Sequence, residues 1–188
     1  MVAPDLIGCY LIRNKFNREL IKGVIVETEA YSQEEEACHG YVKMTSSNKL
    51  LFGKPGRFYI YKSYGIHHCL NIVTDKENFA SGVLIRAVYI SSENERIAAG
   101  PGLVTKAFEV DKKLNSLNVV DNNFLWICKG DRYLEKKDLI QTTRIGISKA
   151  KNIKWRWYLK GSRSISKREK GDKNPNFKNS TNNLSWTI

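Results

Sequence analysis

No stretch of this chain reaches the roughly 18 consecutive apolar residues that a membrane-spanning helix needs. No long basic amphipathic helix stands out either, so no membrane partner is expected. Cysteine is sparse: Cys9, Cys38, Cys69 and Cys128 are scattered, with no Cys-x-x-Cys pair. That argues against a disulfide framework and for reduced, buried thiols inside a cell. Leu6-Ile-Gly-Cys9 has the outline of a lipoprotein cleavage box, but only five residues precede it, one of them Asp5. The basic region and hydrophobic stretch of a secretion signal are missing, and no targeting peptide is expected. His39, His67 and His68 lack the spacing of a helical metal pair, and no second ligand cluster accompanies them. No metal or other cofactor is expected. There is no internal repeat.

Acids are also in short supply. Asp and Glu number 19 against 31 Lys and Arg, a formal charge of +12 with a pI near 9.5. A surplus of that size favours a polyanionic partner, because neutralised phosphates release counterions. From Arg144 to Lys173 there are eleven basic residues against Glu169 and Asp172, with Trp155, Trp157 and Tyr158 interleaved. A solvated face over core aromatics is the ordinary explanation. A phosphate-gripping surface explains the one-sided sign better.

The 188 residues suit one domain with a sizeable core. An apolar first element covers Leu6 to Arg13, followed by a polar turn at Asn14 to Glu19. Gly23 to Thr28 reads as a strand and Glu34 to Glu36 as one helical turn. Lys43 to Lys49 reads as a mobile polar loop. The clearest hairpin joins Gly56–Tyr61 to Ile66–Val73 through Lys62-Ser-Tyr-Gly65. Gly82–Ile90 is another strand, and Gly100–Phe108 a loop entering a helix. Phe124–Cys128, Arg144–Ser148 and Trp155–Leu159 are later strands. The expected class is α+β: a single compact domain over residues 1–170, with a curved, mostly antiparallel sheet, short helices and a protruding hairpin. Residues 171–188, rich in Asn, Lys and Ser, read as a flexible polar tail.

The chemistry concentrates where the strand ends in Glu27-Thr-Glu-Ala-Tyr31, followed by Glu36-Ala-Cys-His39. A carboxylate, an aromatic ring and an imidazole fall within one short stretch. Glu29 there can act as a general base towards a water; the alternative is a solvated carboxylate on a strand edge. Tyr59 and Tyr61 share a strand face, which cross-strand packing alone accounts for. Tyr64 sits at a basic hairpin turn where no core is available. It can wedge between base pairs or fold back on its own strands.

These pieces, with Gly53-Lys-Pro-Gly56, Tyr59-Ile-Tyr-Lys-Ser-Tyr-Gly65, Cys69-Leu-Asn-Ile72, Val83-Leu-Ile-Arg-Ala87, Gly100-Pro-Gly102, Lys106-Ala107, Arg144-Ile-Gly-Ile147 and Trp157-Tyr-Leu-Lys-Gly161, run in order from about Leu6 to Ser166. The ordered set resembles the methylpurine (alkyladenine, 3-methyladenine) DNA glycosylase family. The resemblance implies a monofunctional, cofactor-free glycosylase of base excision repair. Such an enzyme flips damaged purines out of double-stranded DNA and hydrolyses the N-glycosidic bond, leaving an abasic site without strand cleavage. It implies Glu29 as the general base, Arg86 as its orienting partner, and the Ile145 carbonyl as a holder of the same water. Tyr31 and Tyr61 would sandwich the base, with His39 at its edge, and Asn71 would narrow the pocket against the 2-amino group of guanine. Tyr64 would be the wedge. It further implies a monomer in the bacterial cytoplasm with the nucleoid, or in a nucleus if eukaryotic. The chain departs from the pattern in a segment before His39 one residue shorter, Ser47 where an arginine is expected, a longer Thr74–Ser81, and His67 and His68 at apolar or aromatic positions. A non-catalytic binder of bent or damaged DNA and a base-stacking RNA module are the competing readings, and a metal-dependent nuclease a more distant one.

Overall fold

A computed structural model of the protein describes residues 1–17, 19–131 and 134–172. A short helix α1 (Val2–Asp5) leads into β1 (Tyr10–Asn14) and the long β2 (Leu20–Ser32). The hairpin β3 (Phe58–Ser63) and β4 (His67–Val73) follows, then β5 (Ser81–Tyr89), helix α2 (Pro101–Ala107) and β6 (Leu125–Cys128). Strands β7 (Leu139–Thr142) and β8 (Arg156–Leu159) complete it. All pairings are antiparallel, in the order β3-β4-β5-β2-β1-β6, with β8 on β2 and β7 on β8. The fold class is α+β, a curled sheet with few short helices, as the sequence indicates.

Strand β2 organises the site. One edge pairs with β1 along Leu20–Val24 and then with β8 along Glu27–Glu29, while β5 follows the other edge from Val24 to Ser32. Its register against β5 breaks on both sides of Glu27, so Val26 and Arg86 are left without a Cα partner. Such bulges bend a strand and re-aim side chains, and they recur beside active sites. Here the irregularity falls on the arginine that meets Glu29.

Both faces of the sheet centre are covered. On one, Ile25, Ile60, Leu70 and Ile85 pack against Val104 and Phe108 of the α2 region. On the other, Val24, Val26 and Ala87 pack with Ala3, Trp157 and Ile165. A third cluster of Cys38, Phe52, Tyr59 and Val73 supports Tyr31 and Tyr61 from below.

Several sequence expectations are corrected. The first element is not one piece: α1 precedes a turn, and only Tyr10–Asn14 is strand. Glu34–Glu36 forms turns rather than a helical turn, because the Glu35 carboxylate accepts from the Ala37 N–H and its carbonyl from the Cys38 N–H. Arg144–Ser148 is a loop, not a strand, and the strand instead lies at Leu139–Thr142. Gly146 takes a φ of 76°, and the Ile145 N–H donates to a side chain rather than to a ladder. The Lys43–Lys49 loop is tied by Asn48, which accepts from the Thr45 N–H and donates to the carbonyls of His39 and Lys43. Of the proposed tail only Gly171 and Asp172 fall within the described residues, and Asp172 accepts from the Tyr158 hydroxyl at 3.0 Å.

Candidate active site

Glu29 is fully buried, and donors from three elements converge on it. The Ile145 N–H donates to Oε1 at 2.9 Å. The Tyr31 hydroxyl donates to Oε2 at 2.8 Å, and Arg86 Nη1 to the same oxygen at 3.2 Å. A carboxylate has about four lone-pair positions. Three are used here, and the fourth, on Oε1, can accept from a water. All three partners line one cavity of about 800 Å³, so Glu29 sits directly behind its wall. Burial pushes the Glu29 carboxyl above the ordinary glutamate range, while Arg86, the Ile145 N–H and the Tyr31 hydroxyl pull it back down.

The expected pocket residues are brought together. Tyr31, His39, Tyr61 and Asn71 all face the cavity with Arg86 and Ile145. The ring centroids of His39 and Tyr61 lie 4.1 Å apart at 64°, and those of Tyr59 and Tyr61 5.6 Å apart at 31°. Burial drives the Tyr31 and Tyr61 phenols far up and the Tyr59 phenol to about 12, so all three stay protonated at neutral pH. His39 is exposed on its outer side, but its inner edge packs against Tyr61, and Nδ1 lies 3.4 Å from the Tyr59 hydroxyl. Desolvation of that edge lowers its affinity for a proton, and the water on its outer side limits the effect. Asn71 is held by its own amide, which donates to the carbonyls of Tyr59 and Cys69.

Tyr64 also borders the cavity, at the hairpin tip, and is 88% exposed. Tyr64 and Gly65 both take positive φ, 48° and 69°, inside a turn closed by the Ile66 N–H on the Ser63 carbonyl. Glycine adopts that conformation freely, whereas a bulky residue pays about 1–2 kcal/mol. Tyr64 thus holds this backbone conformation with its ring in solvent rather than packed on the hairpin.

The Ile145 N–H grips Glu29 directly, a contact separate from the role expected of its carbonyl. Residues outside the expected catalytic and base-binding set complete the site. Arg144 is buried, bound to both Glu35 carboxylate oxygens at 2.6 and 2.7 Å, with its guanidinium 4.6 Å from the Tyr31 ring centroid. It braces the cavity wall from behind. Arg156 is buried on Glu27, so both arginines leave the proposed phosphate-gripping surface. The basic character at the site comes instead from exposed lysines: Lys62, Lys149 and Lys151 at the cavity mouth, with Lys43, Lys49 and Lys112 along an adjoining groove of about 600 Å³. Ser47 lies in that groove. His67 borders the main cavity. An acid two residues before Glu29, and an arginine between two tryptophans, were the available signals for the buried pair.

The methylpurine-DNA glycosylase (MPG) family profile fits residues 1–163. The chain belongs to the methylpurine-DNA glycosylase family. Relatives provisionally named 3-methyladenine DNA glycosylase share its length. One from Trichodesmium erythraeum is 40% identical, covering 88% of this chain and 91% of its own. One from Carboxydothermus hydrogenoformans is 40% identical over 89% and 93%, and one from Francisella tularensis 33% over 88% and 92%. Membership in the methylpurine-DNA glycosylase family carries the coarse activity, a DNA repair hydrolase acting on N-glycosidic bonds. Among the described residues, no helix is long and apolar enough to cross a membrane.

Proposed function

We propose that this methylpurine-DNA glycosylase acts on a purine rotated out of duplex DNA into the cavity between Tyr31 and Tyr61, and hydrolyses its bond to deoxyribose. The single observation that carries the reading is Glu29, buried behind the cavity wall and held by three donors, Ile145, Tyr31 and Arg86, that themselves line the cavity. Extrusion costs a few kcal/mol, less for a damaged base. Tyr64 on its hairpin offsets part of that by filling the gap, and stacking on the cavity tyrosines contributes about 1–3 kcal/mol per base. As the glycosidic bond lengthens, the sugar gains oxocarbenium character. The Glu29 carboxylate stabilises that charge and takes a proton from the attacking water. Arg86 and the Ile145 N–H fix its orientation.

The leaving group decides the substrate class. A cationic alkylated purine departs without further help, and alkylated adenine is the first candidate. Hypoxanthine and etheno-adenine are neutral and require a proton from an acid. The mouth lysines are exposed rather than desolvated, so none has the surroundings that activate an amine nucleophile. Water is therefore the attacking group, and the product is an abasic site without lyase cleavage. All the groups come from one chain, so a monomer suffices.

The test is a base-release panel on duplexes carrying alkylated adenine, hypoxanthine or etheno-adenine. Heat- or alkali-labile sites at a damaged purine support the reading. Tight binding without such sites would make the protein a binder of distorted DNA. Tyr64→Ala is expected to reduce release from duplex by about 10-fold or more, the equivalent of ~1.4 kcal/mol, and to leave release from single strands nearly unchanged. Equal losses on both would remove the wedge. With an alkylated, already cationic purine, release should decline as pH drops through the Glu29 value, because only the carboxylate accepts the proton. That value is raised, so the acidic limb should lie above the ordinary glutamate range. A rate flat down to pH ~4 would contradict it.

A further inference from the structure

Two residues before Glu29, Glu27 is equally buried, and its partners lie away from the cavity apart from Arg86. Its Oε1 accepts from Arg156 Nη1 at 2.7 Å and from the Ser166 hydroxyl at 2.9 Å, and its Oε2 from the Ser166 N–H at 2.7 Å. Arg86 lies between the two acids. Its Nη1 bonds Glu29 at 3.2 Å, while its Nε bonds the Ser166 hydroxyl at 3.0 Å and lies 3.6 Å from Glu27 Oε1. Arg156 reaches past Glu27 to the Thr143 carbonyl at 2.8 Å, two residues before the N–H that grips Glu29. One buried cluster thus holds both the guanidinium and the loop on which Glu29 depends.

We propose that Glu27 is a positioning residue for the reaction: locked by Arg156 and Ser166, it competes with Glu29 for Arg86 and so sets how strongly that guanidinium stabilises the ionised catalytic acid. The inference rests on the glycosylase reading of Glu29. The charged and titratable groups around Glu29 come from several elements. Tyr31 and Glu27 come from β2 and Arg86 from β5. Tyr61 and Cys69 come from β3 and β4, and Arg144 stands behind Tyr31. Arg156 on β8 is already engaged by Glu27 and Glu169. Among these, Glu27 is the one other carboxylate in contact with Arg86. Sharing one cation between two anions leaves Glu29 less stabilised than an exclusive pair would, which keeps it a stronger proton acceptor. A base that binds protons too weakly drives the water's proton poorly.

The test is the pH profile of release from an alkylated purine by wild type and Glu27→Gln. The glutamine keeps an acceptor for Arg156 and gives Arg86 wholly to Glu29. The acidic limb is expected to move down by about one pH unit, and the plateau rate to decline because the acid has become a weaker base. Glu169→Gln, further out on Arg156, should move the limb the same way by less. An unmoved limb, with loss of rate or of melting temperature alone, would show Glu27 to be merely structural and overturn the proposal. So would a limb moved upward. If Glu27→Gln does not fold, Glu169→Gln decides by the same criterion. Carbon-13 titration of the Glu29 carboxyl in the free protein reads the same shift without any turnover. A wild type that releases no base therefore fails the glycosylase reading while the competition for Arg86 is still decided.

Discussion

Glu29→Gln is expected to lower base release by roughly 10²–10⁴-fold, the usual worth of general-base help, while leaving affinity for damaged duplex unchanged. The physical reason is local. The glutamine oxygen can still accept from the Ile145 N–H, so the loop at Arg144–Ile147 keeps its place. The amide nitrogen then faces Arg86 and the Tyr31 hydroxyl. The hydroxyl can rotate to accept, and Arg86 can swing towards Glu27 and Ser166. The cavity walls survive, but no group remains to take the water's proton. Single-turnover release and equilibrium binding separate the two effects. Full release by the variant would end the assignment of Glu29, and loss of binding would mean that the walls had collapsed.

The second large effect is on stability and concerns Glu35 and Arg144, whose side chains are 5% and 0% exposed. Glu35→Ala strips the bidentate partner from a buried guanidinium, leaving it with the carbonyls of Ala30 and Ala150. Breaking such a pair from one side costs about 3–5 kcal/mol, which for a chain of this size lowers the melting temperature by roughly 6–20 °C. Replacing both residues by apolar side chains of similar volume should restore much of that stability, since the pair also carries its own desolvation penalty. The double variant should nonetheless bind the purine more weakly, because Tyr31 loses the cation behind its ring. Urea unfolding measures the first effect and the KM for an alkylated substrate the second. A single variant as stable as wild type would contradict the first.

How much was legible differs from element to element. The β3–β4 hairpin could be read directly, because alternating β-branched and aromatic residues around a glycine turn are a local signal. Strand β5 was found within a residue at each end for the same reason. The loop at Arg144–Ser148 was misread as a strand because Ile145 and Ile147 alternate with polar neighbours, as strand residues do. The alternation serves something else. Ile145 and Ile147 border the cavity, and Arg144 turns to Glu35. Strand β7 was missed: Leu-Ile-Gln-Thr runs two apolar residues and then two polar ones, with no alternation and no aromatic residue to mark it.

The sequence by itself determined the family, the class of fold and the short list of groups that can do chemistry, since ordered motifs and strand periodicity are carried by neighbours along the chain. It also placed Tyr64 at a turn with no core beneath it. Only the tertiary structure decided which positive charges stay in solvent and which are sealed inside. Arg144 and Arg156 look like surface cations in the sequence, yet each meets its acid across a long separation, 109 residues to Glu35 and 129 to Glu27. The Ile145 N–H that steadies Glu29 comes from 116 residues away, and nothing local to either segment encodes that meeting. Burial converts such distant pairs from weak surface contacts into the frame of the site, because a charge removed from water must be answered by whatever the fold brings beside it.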